Sequence, residues 1–150
     1  MRVSIFSAVL AAVVASPVLA ASAQDPTQLY EEISTPGETM DGFVARISPK
    51  AIEVTGQRRV SICGVIGKSG ERFGIRLGTS NTWKKCDIDL ANTVAGFTST
   101  GITFHTTTSD EGSQRGFSAE NFKRPGGYVA FGNVVRYQEG RTKDRPVSTR

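Results

Sequence analysis

Short runs that alternate apolar and polar residues, cut at intervals of about 8–20 residues by Gly, Pro, Asn or Ser, are the strongest constraint on how this chain folds. Phe43, Ala45 and Ile47 alternate with Val44, Arg46 and Ser48, so 42–48 reads as a half-buried strand. Ser48-Pro49-Lys50 reads as a turn into a second strand over 51–55. Val60–Ile66 and Arg72–Leu77 follow, the latter with Phe73, Ile75 and Leu77 on one face and Arg72 and Arg76 outward. A fifth strand over 83–90 sets Cys86, Ile88 and Leu90 opposite Trp83, Lys85, Asp87 and Asp89. Ile102–Thr107 is the sixth, and Tyr128–Tyr137 the last and longest. Helix signals are few. Asp25-Pro26 opens a short segment with Leu29 and Ile33 on one face, and 117–122 reads as a single turn capped by Ser118.

The expected fold is therefore mainly β: a compact antiparallel sandwich or barrel of about seven short strands with one or two short helical turns. Residues 24–137 form one expected β-rich domain. Residues 138–150 are polar, contain Pro146 and lack periodicity, and read as a disordered tail.

Residues 1–23 match a cleavable secretory leader. Arg2 supplies the charge, Val3–Leu19 is apolar but for Ser4, Ser7, Ser16 and Pro17, and Ala21-Ser22-Ala23 gives small residues at the exit. The apolar core is shorter than the roughly 20 residues a membrane span needs, so no span is expected. A leader with one Arg points to a fungal source. Export places Cys63 and Cys86, the two cysteines, in an oxidising compartment, where only one intramolecular pairing is open to them. The closed loop of about 24 residues is worth roughly 3 kcal/mol in the chain-entropy description.

Charge adds a weaker constraint. The chain has 18 basic and 14 acidic side chains, and the excess of bases lies beyond residue 66. No block of five like charges occurs, which speaks against a nucleic-acid partner. Catalytic signals are sparse. His105 is the single histidine, no Gly-x-Ser-x-Gly elbow exists, and the cysteines lack metal-ligand or Cys-x-x-Cys spacing. A small ribonuclease-like or hydrolytic site would require Glu71, Arg72, Arg76 and His105 to converge. Arg58-Arg59 is a dibasic pair of the kind secretory processing proteases cut, and its plain reading is a solvated turn. Trp83, the single tryptophan, stands beside Lys84 and Lys85 and suits a binding contact.

Ser69-Gly70-Glu71-Arg72-Phe73, followed by Trp83-Lys84-Lys85, is similar to the Ser-Gly-x-Arg/Lys-Tyr and Trp-x-Lys-Gly stretches of periplasmic lysozyme inhibitors of the membrane-bound and C-type class. The likeness covers under a fifth of the chain after the leader, its spacing to the Trp is longer, and Cys86 replaces the Gly. It implies that Ser69 and Arg72 would contact a lysozyme cleft.

The profile as a whole leads to a secreted, non-enzymatic effector that binds a host protein or cell-surface component to suppress defence, in the host apoplast or host cell. The expected binding face consists of Trp83, Tyr128, Arg72, Arg76, Lys84 and Lys85. No cofactor or metal is implied, and a monomer is expected.

Overall fold

A computed structural model describes residues 27–107, 117, 123–124, 126–140 and 143–147. The chain runs β1 (Thr27–Ile33), α1 (Met40–Arg58), β2 (Cys63–Ser69), β3 (Arg72–Thr79), β4 (Thr98–Thr106), β5 (Gly126–Phe131), β6 (Val134–Glu139) and β7 (Lys143–Val147). The strands form one seven-stranded sheet in the order β1-β3-β2-β4-β5-β6-β7. The fold is mainly β with one disulfide, Cys63–Cys86, as expected. The sheet is mixed rather than wholly antiparallel, because β4 and β5 run parallel.

Several local expectations change. The segment 42–55 is not two strands but part of a 19-residue helix. Phe43, Ile47, Ala51 and Thr55 recur at four-residue steps and are all buried, with Val44 and Ser48 beside them. The same residues also alternate over short windows, and burial along one helical stripe decides between the two periods. Thr39 caps the helix by accepting from the Gly42 amide at 3.1 Å. Pro49 lies exposed inside it, where the missing N–H leaves the Ala45 carbonyl without its helical donor.

The first helix signal is overturned too, since 27–33 is the edge strand β1, paired with β3 through Tyr30↔Leu77 and Glu32↔Ile75. The expected last strand is two, β5 and β6, folded about Gly132-Asn133 with Gly132 at φ 53°. The polar tail contributes β7, held to β6 through pairs such as Tyr137↔Arg145 and by an Arg136–Asp144 ion pair. Tertiary pairing there supplies order that composition does not announce. The helical turn expected over 117–122 lies outside the described residues, apart from Phe117.

One face of the sheet buries α1. Phe43, Val44, Ile47 and Ala51 meet Ile66 (β2), Ile75 and Leu77 (β3), Phe104 (β4), Tyr128 and Ala130 (β5), Val135 (β6) and Val147 (β7) in a single core. The edges of a flat seven-stranded sheet stand about 29 Å apart at about 4.8 Å per spacing. Glu32 of β1 meets Lys50 of α1 at 2.8 Å, and Arg145 of β7 meets Asp41 of α1 at 2.7 Å. Both edges thus reach the same helix.

The opposite face is covered as well. Cys63, Val65, Val94, Phe117 and Val129 are buried apart from the main core. The 80–97 segment crosses β2 and β3, where a Cβ on Gly67 would stand 2.8 Å from the Phe97 Cβ and one on Gly74 3.0 Å from its ring. Glycine at these positions is what lets the segment lie close.

Candidate functional site

The 83–90 stretch, expected as a strand, is an irregular part of that covering segment. Its conformation follows from local bonds. Asn81 adopts a left-handed conformation at φ 56°, and the Thr82 hydroxyl bonds the Lys85 carbonyl at 2.8 Å and accepts from its amide at 3.2 Å. Ser61, just before β2, donates its amide to the Thr82 carbonyl and its hydroxyl to the Trp83 carbonyl, both at 2.8 Å. The disulfide then ties Cys86 to β2. Trp83 is thus carried on a backbone anchored at two places while its side chain stays 46 % exposed. Lys84 lies over its ring, with Nζ 4.8 Å from the centroid, and Lys85 pairs with Asp87 at 2.7 Å.

Of the other expected binding residues, Arg76 borders the covering segment, and Arg72 and Tyr128 lie elsewhere. Arg72 sits beside the tip of the β2–β3 hairpin and is held by the Ser34 carbonyl at 3.0 and 3.1 Å. Arg76, mid-strand, meets Glu31 at 2.7 Å and the Asn92 side chain at 2.9 Å. It lines a shallow recess together with Gln28, Gly78, Asp87, Asp89 and Asn92.

Tyr128 is corrected outright. It is 2 % exposed on the helix-facing side of β5, and its hydroxyl donates to Asp41 at 2.7 Å. Burial, reinforced by the Asp41 carboxylate, pushes the phenol well above its ordinary range, so it stays protonated. Asp41 also takes a two-pronged contact from Arg145, at 2.7 and 3.1 Å. That contact holds its carboxyl below the usual carboxylate range, with the Tyr128 bond acting the same way and burial opposing both. This cluster is a clamp between α1 and β7, with Tyr128 buried beneath a partly exposed Asp41–Arg145 pair.

The residues a hydrolytic site would need are likewise apart. His105 pairs with Cys63 at one end of β2 and packs edge-on against Phe117, while Arg72 pairs with Ser69 at the other end. Six residue steps of strand separate the two ends, about 20 Å. Glu71 lies on the exposed hairpin turn beyond. Among the described residues no three His, Cys, Asp or Glu side chains group as metal ligands, and no helix is long and apolar enough to cross a membrane.

Arg58 and Arg59, in sequence a dibasic processing pair or a solvated turn, form the end and the C-cap of α1. Both are exposed at the C-terminal end of α1, and Arg59 takes a left-handed conformation at φ 53°. Ser61, two residues on, is the residue that grips Thr82 and Trp83, so the end of α1 leads directly to the backbone anchor of the Trp83 loop. The dibasic pair was visible in the sequence, but nothing local joined it to residues more than twenty positions later. Comparison with protein-family models, with curated proteins and with solved structures gave no match.

Proposed function

We propose that this is a secreted, non-enzymatic binding protein, an effector that docks on a host protein through the loop carrying Trp83. The observation behind the reading is a half-exposed tryptophan on a backbone fastened by Ser61 and by the disulfide. A large aromatic held ready in solvent costs little further ordering entropy on binding, and tryptophan is among the residues that dominate interface energetics. Most acidic groups in the described core region serve structural pairs with Arg46, Lys50, Arg76, Arg136 or Arg145 instead of facing a common cleft.

The test is affinity capture from host extract with residues 24–150, wild type against Trp83→Ala. The reading expects a partner retained by the wild type and lost by the variant, with both equally stable to urea. Identical captures by the two proteins count against it. In the producing organism, deletion of the gene is expected to leave growth in culture unchanged and to lower host colonisation.

A second reading, a lysozyme inhibitor, is favoured by one observation: Ser69 stands exposed beside the β2–β3 turn, where Gly70 takes φ 56°. It expects lysozyme inhibition that falls on Ser69→Ala. An active lysozyme at saturating protein removes it.

A further inference from the structure

Ser61, two residues after Arg59, bonds the Thr82 and Trp83 carbonyls, so the end of α1 and the Trp83 loop are neighbours. Arg58, Arg59, Trp83, Lys84 and Lys85 are all exposed. The two joined segments carry four cations, of which Lys84 lies over the indole ring at 4.8 Å. Among the described residues only Lys85 has a carboxylate partner, Asp87, and that pair is open to water at both ends. Arg58 and Arg59 enter no ion pair among the described residues.

Backbone conformation marks the same place independently. Arg59 and Asn81 are the two non-glycine residues with positive φ among the described residues, and they lead into the two segments that Ser61 joins. Asparagine tolerates this region, but arginine there costs about 1 kcal/mol relative to glycine, the residue that most often ends a helix this way. Strain kept where a better residue is available indicates that the side chain is used. Arg58 favours the helix C-terminus electrostatically in any case, so Arg59 is the more diagnostic of the two.

We infer that this basic and aromatic tip docks on a carboxylate-rich segment of a protein, one that carries an apolar residue beside its acids. The inference rests on the binding reading above and specifies the chemistry of its partner. Arginine forks match carboxylates two-pronged, and Arg and Trp are the side chains most enriched at the energetic centres of protein interfaces.

Trp83 is the single tryptophan, so its fluorescence reports on this tip alone. The probes are a peptide of alternating Glu and Leu, the same peptide with Gln for Glu, heparin, and phosphatidylcholine vesicles with and without phosphatidylserine. The Glu peptide is expected to shift Trp83 emission and the Gln peptide to leave it unchanged. Affinity is expected to weaken as salt rises from about 50 to 200 mM, where the screening length shortens. Arg58→Ala with Arg59→Ala is expected to weaken binding about tenfold, the scale of losing interfacial charge pairs. Arg59→Gly should weaken binding while leaving urea stability equal or higher, which a purely structural arginine would not do.

No response to the Glu peptide, an equal response to the Gln peptide, or full affinity in the double variant overturns the inference. Responses confined to phosphatidylserine vesicles or to heparin overturn it in favour of a lipid or a glycan surface. If host capture depends on Trp83 but not on Arg58 and Arg59, the docking reading stands and the acidic partner falls.

Discussion

Asp41 shows how far one side chain reaches. It lies in the first turn of α1, accepts the Tyr128 hydroxyl from β5 and receives the Arg145 guanidinium from β7, so three distant elements depend on one carboxylate. Asp41→Ala leaves the buried phenol without its acceptor and is expected to cost about 1–2 kcal/mol, read as a lower urea midpoint. Because the folded-state pKa of Asp41 is depressed, its contribution is complete above the unfolded value near 4 and is lost as pH falls through the folded value. Glu38, lowered chiefly by its hydrogen bond to Arg46, adds in the same direction. Stability followed from pH 7 to pH 2 should fall below about pH 4, and Asp41→Asn should flatten that fall relative to wild type. Gly64 is a second such position. A Cβ there would stand 2.4 Å from the Arg76 carbonyl oxygen, a backbone atom that cannot swing aside. Gly64→Ala is expected to cost about 3 kcal/mol or to prevent folding, measured as soluble yield and urea midpoint.

Among the elements, α1 depends most on tertiary support. Pro49 stands exposed in its interior and removes a helical hydrogen bond, so packing of Phe43, Val44, Ile47 and Ala51 must hold the helix across that point. Pro49→Ala restores the bond and raises helix propensity, against a smaller gain in unfolded-chain entropy. A net stabilisation of about 1 kcal/mol is expected in the urea midpoint, and an unchanged or lower midpoint would contradict this account. The strand β7 is the opposite case. Little in Lys143–Val147 favours a strand on its own, and Pro146 suits only an edge, where a missing N–H breaks no ladder. The ion pairs to Arg136 and Asp41 and the burial of Val147 hold it in place.

Across the whole molecule, one seven-stranded sheet packs a helix on one face and carries the 80–97 segment on the other, and the disulfide fastens that segment to β2. Reduction, or Cys63→Ser with Cys86→Ser, is expected to cost about 3 kcal/mol in urea unfolding by releasing a loop of about 24 residues. The same change should red-shift the Trp83 emission as its backbone anchor loosens. Unaltered emission in the reduced, still-folded protein would show that Ser61 alone positions the indole. The proposed basic tip belongs to this scale too. Its residues come from two segments more than twenty positions apart, and none of the local periods connects them.

What the sequence by itself determined is what nearest-neighbour chemistry settles. The Phe73, Ile75 and Leu77 alternation places β3, Gly70 turns the β2–β3 hairpin, and two cysteines allow one pair. Tertiary structure decided the rest. Phe43, Val44, Ile47 and Ser48 satisfy a period of two over a few residues and a period nearer four over a longer run. Only the sheet packed against them selects the helix. Tyr128 is an aromatic beside two glycines in sequence, and Asp41, 87 positions away, is what makes it a buried donor rather than a surface contact. Burial and pairing across such distances depend on where the chain returns, and a local pattern carries no record of that return.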